Sequence, residues 1–570
     1  MNDLGFKAAC IALHLAIAAS AYAVAGDFEK PPEKEDIDSI FQEGFTKSLE
    51  RLESIFVLHH KPTSIGSSLN SATENFTAWL DIWRWCKIFS TSGEWDSDAL
   101  LDQDLARELM SDPVISRMFF STICGQDSVP QTLKTLGSIR AAHPKKWREY
   151  ASLAIAIAVV NDTPVPPSWP HHQVNPQLVP KIVLPVEQQF SRWVTANEAR
   201  QLLLDPRKLS PLQLKFVVDA FVTEDELMWA RKNVRLTRAT FERAYFQISY
   251  SRDRLHAQKY NWDAGAYTLG AIRKQGGICV DQAYYAAIAG KALGLPTLFF
   301  TGQGSDGGHA WFGYMRSDDR WVIDCGRYSQ QNFTVGEALD PQTWQPISDH
   351  ELELLAAHFR DKPEFTASMN TLAVAEILEN VGESQRAGQA FEKAVQLCPK
   401  NPEAWLAVGK FLERSGSPTK KRIALHEQAV TQFANQADLK VFHQQALANI
   451  YQEMGDTSSL KKIEQLILSQ NRLKRSDLSV GMAASQLSNL LEEGNIPEAE
   501  KLFRRQIHSL GQTGGGNFYY DIAEPYIRVL IAKGNKSEAR RNIALVRRKL
   551  ATDSGGILGA SLDELEVSAK

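Results

Sequence analysis

The chain has 570 residues, enough for several domains, and 44% of them are hydrophobic, which is ordinary for soluble globular protein. Its formal net charge is −4, close to balance, and no run of like charge reads as a tail, so nothing suggests a nucleic-acid footprint.

Residues 1–25 read as a secretory signal peptide. Lys7 precedes an apolar stretch from Ala8 to Ala19, and Ala21-Tyr22-Ala23 and Ala23-Val24-Ala25 both satisfy the small-x-small cleavage rule. The apolar run is shorter than the ~20 residues of a spanning helix. No other segment is long enough, so the expectation is an exported protein, periplasmic or extracellular, with no stable membrane span after signal cleavage. Without Cys10, five cysteines remain: Cys86, Cys124, Cys279, Cys325 and Cys398. The count is odd and lacks CxxC spacing, so at least one thiol stays free or pairs between chains, and Cys279 is the natural free one. Zinc-finger spacing is absent, and neither a metal nor a cofactor is expected. His59-His60 and His171-His172 are adjacent pairs whose side chains diverge, and they read as surface or core histidines.

Residues 27–165 carry apolar residues at three- and four-residue spacing, which predicts helices over Ile37–Leu58, Thr77–Phe89, Ala99–Met110, Val114–Cys124 and Trp147–Val160. Trp79, Trp83 and Trp85 at this spacing read as packing residues. Prolines between Pro164 and Pro180 then forbid helix, so 166–183 reads as a connector or a strap across the next domain. Helical periodicity returns over Glu187–Leu204, Pro211–Phe221, Glu224–Asn233 and Leu236–Arg252, and 184–348 reads as one unit.

Within that unit, Arg273 to Tyr328 is the most informative stretch. After Gly276-Gly277 a helix is predicted from Val280 to Leu293, stopped by Gly294 and Pro296, with Ala283, Ala286, Ala287, Ala289 and Gly290 allowing close packing. Three strands follow, Thr297–Thr301, Ala310–Met315 and Trp321–Ile323. Cys279 thus sits at a helix N-terminus, where unpaired N–H groups and the helix dipole favour a thiolate. His309 opens one strand and could take the thiol proton; Asp324 ends the next and could orient the imidazole. The two meet if the turn lies near Ser317–Asp319. Gly302-Gln303-Gly304-Ser305-Asp306-Gly307 matches GxGxxG, but a strand pattern follows where a dinucleotide site requires a helix, so it reads as a loop leading into His309.

Gly277-Ile278-Cys279-Val280-Asp281, the alanine-rich helix, Lys291-Ala292-Leu293-Gly294-Leu295-Pro296, His309-Ala310-Trp311 and Trp321-Val322-Ile323-Asp324 together resemble the transglutaminase-like (transglutaminase/protease) superfamily. Cys325-Gly326-Arg327 departs from it where the family places proline or a small residue. The resemblance implies an α+β core, papain/transglutaminase-like, of a helix plus an antiparallel sheet, with a Cys279–His309–Asp324 triad acting on amides. The oxyanion donors would be the backbone N–H of Cys279 and a side chain, with Gln275 and Tyr267 as candidates.

From Thr366 onward the pattern becomes periodic. Gly382, Gly416, Gly455, Gly494 and Gly534, at intervals of 34, 39, 39 and 40 residues, each follow an apolar helical pattern and precede another. Asn401-Pro402-Glu403-Ala404-Trp405 and Ala390-Phe391-Glu392-Lys393-Ala394 resemble tetratricopeptide repeats, and the later units read as an irregular α-solenoid, 366–570. The sequence therefore describes an exported thiol enzyme acting on a protein or peptide substrate by hydrolysis, deamidation or transamidation. Its helical repeats would dock a protein partner. The alternative is a non-catalytic binding scaffold built from the same parts.

Overall fold

The computed structural model describes residues 28, 30–59, 73–91, 103–304, 307–318, 320–327, 335–552 and 556–570. The proposed signal peptide, residues 1–25 with Cys10, lies outside them. Most of the described chain is helical, and its strands form a five-stranded antiparallel sheet, so the chain is α+β. No helix among the described residues is long and apolar enough to cross a membrane. Contacts divide the chain into two units: Met1–Ala158 with His358–Gln428, and Val159–Ala357 with Ala429–Lys570. The repeat-like helices contribute to both.

In the first unit, the expected helix over 37–58 is two helices, Lys34–Glu43 and Phe45–His59, because Gly44 turns the chain at φ +91°. Trp79, Trp83 and Trp85 are buried on the helix Glu74–Thr91. Trp85 stacks on Phe89 and donates to Ser116 Oγ at 2.8 Å, so a bulky ring is buried with its N–H satisfied. A helix over Val129–Ala142 carries no strong apolar stripe and escapes the periodicity reading; it ends before His143-Pro144, since a residue preceding proline disfavours the α region. Asn370 on the helix Pro363–Asn380 donates to Thr77 Oγ1 at 2.7 Å, tying the first repeat-like helix to this bundle.

The second unit is built around the cysteine helix, Cys279–Ala292, whose residues from Val280 onward are all buried. Gly290 is needed there: a Cβ would overlap Thr297 Cγ2 and sit 3.0 Å from the Phe241 ring. Lys291 is a buried cation with all three donors used, to Asp219 Oδ1 at 2.6 Å, Thr297 O at 2.7 Å and Phe216 O at 2.9 Å. It fastens the helix end to the first strand. Strand β1 is Thr297–Gln303, β2 Gly308–Ser317, β3 Arg320–Cys325, β4 Glu337–Leu339 and β5 Pro346–Ser348, in the spatial order β3-β2-β1-β4-β5. The two short edge strands carry no alternation long enough to be read from sequence. The proline-rich segment is a strap on this core: Lys181 pairs with Val222, Trp169 packs edge-on to Phe221 and Tyr284, and Tyr267 N–H donates to Leu178 O at 2.7 Å.

The periodic glycines have one physical basis. Gly382, Gly416, Gly455, Gly494 and Gly534 all have φ between +61° and +85°, each just past the C-terminus of a helix and before the next. Nothing lies within 4 Å of a Cβ built at any of them, so the requirement is backbone conformation alone.

Candidate functional site

Cys279 is the first residue of its helix, with Ile278 as the N-cap. Asp281 closes the cap: Ile278 N–H donates to its Oδ2 at 2.8 Å, Tyr267 O–H to its Oδ1 at 2.9 Å and Arg254 Nη1 to its Oδ2 at 2.7 Å. Three donors converge on one buried carboxylate, which fixes the turn that presents the thiol. Gly277 has to be small because a Cβ there would sit 2.7 Å from Asp281 Oδ2 and closer still to Asp281 Cβ.

The thiol is half-buried and rests on β2, where the backbone N–H of Ala310 points at it. Burial pushes the Cys279 thiol above its ordinary range, the Ala310 and Val280 N–H groups pull it down, and the Asp281 carboxylate pushes it up again. The resting group is therefore a thiol, and attack requires a base at the moment of reaction. His309 precedes Ala310 on β2, is buried, and lines the same cleft as Cys279. Its ring stacks on Trp311 at 5.7 Å, two residues on along the same face. Its Nε2 lies 2.9 Å from Gly326 O. A carbonyl only accepts, so Nε2 carries the proton and donates, which leaves Nδ1 as the basic nitrogen.

The structure does not bring Asp324 to that imidazole. Its side chain is exposed, and Cys325, one residue on, is the buried one, pushed up by burial and by Asp324. The pairing of β2 with β3 is irregular next to Asp324. Phe312 pairs with Cys325 but Tyr314 with Val322, so β3 holds an extra residue in this interval and bulges at Ile323–Asp324. The residue that faces His309 is Gly326, at φ +100°, where a Cβ would meet the Tyr245 ring at 2.6 Å. The Cys-Gly-Arg sequence thus has a function: Gly326 bends the chain so that a carbonyl meets His309. Arg327, over the Trp311 ring at 4.3 Å and paired with Asp349, holds the bend.

The two side-chain oxyanion candidates are also engaged elsewhere. Gln275 is exposed and donates to Ala264 O at 3.2 Å. Tyr267 is fully buried, gives its proton to Asp281 and lies 3.0 Å from His171 Nε2. Since its single proton is committed, it accepts from His171 Nε2–H. Burial and then His172 push the His171 imidazole down to about 3, so this ring is neutral. The donors at the thiol are backbone N–H groups, those of Ala310, Val280 and Cys279 itself.

No family model and no curated protein sequence matches the chain.

The cleft around Cys279 has a volume of about 1240 Å³. One wall is the core, with His171, Tyr250, Leu255, Tyr260 and His309. The other comes from the C-terminal helices, with Asp477, Gln512, Asn517, Tyr520, Lys549 and Ile557. Sequence reasoning assigned the C-terminal residues to a separate docking module and missed them as cleft residues. The available signal was the glycine run Gly514-Gly515-Gly516, which lets two backbones touch: Gly516 N–H donates to Gly304 O at 2.9 Å, and a Cβ on Gly516 would lie 3.0 Å from Gln303 Oε1. Gly302 and Gln303 of the GxGxxG segment belong to β1, and Gly304, just after them, is a contact point for the C-terminal helices.

Proposed function

We propose that the protein is a transglutaminase-like thiol enzyme acting on amide bonds, with Cys279 as nucleophile and His309 as general base. The observation that carries the reading is the placement of Cys279 at a helix N-terminus against the Ala310 N–H, in a cleft it shares with His309. His309 Nδ1 takes the thiol proton as sulfur attacks the amide carbon, and the S–C bond forms. The Cys279 N–H steadies the oxyanion, the C–N bond breaks, and His309 returns the proton to the leaving nitrogen, which departs as ammonia or an amine. Water or a second amine then attacks the thioester, releasing acid or a new amide and restoring the thiol. Gly326 O, in place of a carboxylate, orients His309 and holds its tautomer. Export by the N-terminal segment, and docking of a partner protein on the repeat-like helices, belong to the same proposal.

A non-catalytic scaffold is the second reading, favoured by the raised thiol pKa and by the exposed Asp324. The two separate in turnover of a panel of peptides and glutamine donors by wild type, Cys279→Ala, His309→Ala and the double variant. The enzyme reading predicts that either single change removes nearly as much turnover as both, because members of one catalytic unit are not additive. Wild-type protein inert on the whole panel supports the scaffold.

A further inference from the structure

The C-terminal helices form one wall of the Cys279 cleft, and their backbone is irregular at that wall. Gly515 sits at φ +48° and ψ −125° inside the helix Gly511–Phe518. The next five residues, Tyr519–Ala523, form a π-turn before the helix Glu524–Ala532 begins. A π-turn inserts a residue into the helical spacing and re-aims the side chains around it; such turns concentrate at functional sites. Here the re-aimed side chains include Tyr520, which lines the cleft with Asn517 from the preceding turn. Tyr520 and Tyr260 of the core-side wall both line the cleft, and burial, Glu524 and then Tyr260 push the Tyr520 hydroxyl up.

The core-side lip is apolar and held in place. Tyr250 and Leu255 line the cleft yet stay 36% and 38% exposed. Arg254, one hand on Asp281, donates with the other to Lys259 O at 3.3 Å and Tyr260 O at 3.2 Å. The lip carrying Tyr260 is thereby tied to the turn that presents Cys279. Charges on the lining are of both signs, with Lys549 against Glu337 and Asp477, so the cleft does not select a strongly charged ligand. The volume of about 1240 Å³ exceeds the ~300–1,000 Å³ of small-molecule pockets.

We infer that the cleft binds an extended polypeptide segment, with apolar side chains gripped between Tyr260 and Tyr520 and its backbone amides read by Asn517. The inference rests on Cys279 being the reactive thiol, and it makes the C-terminal helices a specificity wall of the same site.

The test is alkylation of Cys279 in the full chain by iodoacetamide and by iodoacetyl-Leu-Phe-Gly-amide, with the modified residue located by mass spectrometry. The expected result is saturation with the peptide reagent and a rate advantage over iodoacetamide of about tenfold or more at low concentration. Tyr520→Ala and Asn517→Ala should each cut the ratio of the two rates by roughly tenfold, and Tyr520→Phe, which keeps the ring, should preserve most of it. A wild-type peptide reagent no faster than iodoacetamide, or an advantage kept in both alanine variants, overturns the inference and leaves the thiol reading standing. If neither reagent modifies Cys279, the thiol reading falls and the inference with it.

Discussion

Arg254 Nη1 lies 2.7 Å from Asp281 Oδ2, and this pair of a half-buried guanidinium and a buried carboxylate joins the lip of the cleft to the turn that presents Cys279. Asp281→Ala would leave the Arg254 guanidinium, the Tyr267 hydroxyl and the Ile278 N–H without their acceptor. Breaking a buried pair from one side costs about 3–5 kcal/mol. The expected outcome is a loss of that size in the opening free energy of the cysteine helix, measured by native-state hydrogen exchange over Val280–Ala292. Protection equal to wild type would show that the pair does not hold the turn.

Gly277→Val should damage the same turn from the other side. Its side chain would overlap Asp281 Cβ, and the Asp281 carboxylate would have to leave the Ile278 N–H. Overpacking of this kind costs about 1–3 kcal/mol. The melting temperature should fall, and Cys279 alkylation should slow relative to wild type.

The pH dependence follows from the direction of the thiol shift. Burial and Asp281 raise the Cys279 pKa, so at any given pH less thiolate is present than for an unperturbed cysteine. The rate of iodoacetamide labelling should therefore climb through a midpoint above the ordinary thiol value of about 8.5. A midpoint well below it would mean a preformed thiolate–imidazolium pair, and His309 would then not act as a base on a neutral thiol.

Asp324 and His309 should behave differently. Asp324 is exposed beyond a bulge, and His309 Nε2 is held by Gly326 O. Asp324→Ala should keep turnover within about threefold of wild type, while His309→Ala should lose roughly 10²–10⁴-fold, the usual worth of a general base. Equal and large losses in both variants would show that the carboxylate reaches the imidazole during the reaction.

The parts of this site that were legible in the sequence are those set by local rules. The cysteine helix and the three longer strands follow from small-residue packing, aromatic runs and glycine punctuation, and the five periodic glycines mark helix ends because only their φ matters. What was not legible depends on register and on distant chain. β3 carries an extra residue between Val322 and Cys325, the group that meets His309 Nε2 is the Gly326 carbonyl, and nothing in Trp321–Asp324 announces a bulge. The commitment of Tyr267 to Asp281 and His171 requires the strap, which joins the core from about a hundred residues upstream. The placement of Tyr520 and Asn517 at the cleft depends on a contact between Gly304 and Gly516, more than two hundred residues apart.

The most direct measurement is acid-quenched mass spectrometry of wild-type protein during turnover of an amide substrate found in the peptide panel. A thioester at Cys279 should appear as the acyl mass of the substrate on the peptide containing Cys279, absent from the Cys279→Ala protein, which should also release no ammonia or amine. An acyl group on another residue, or release at the wild-type rate by Cys279→Ala, would contradict the assignment of Cys279 as the nucleophile.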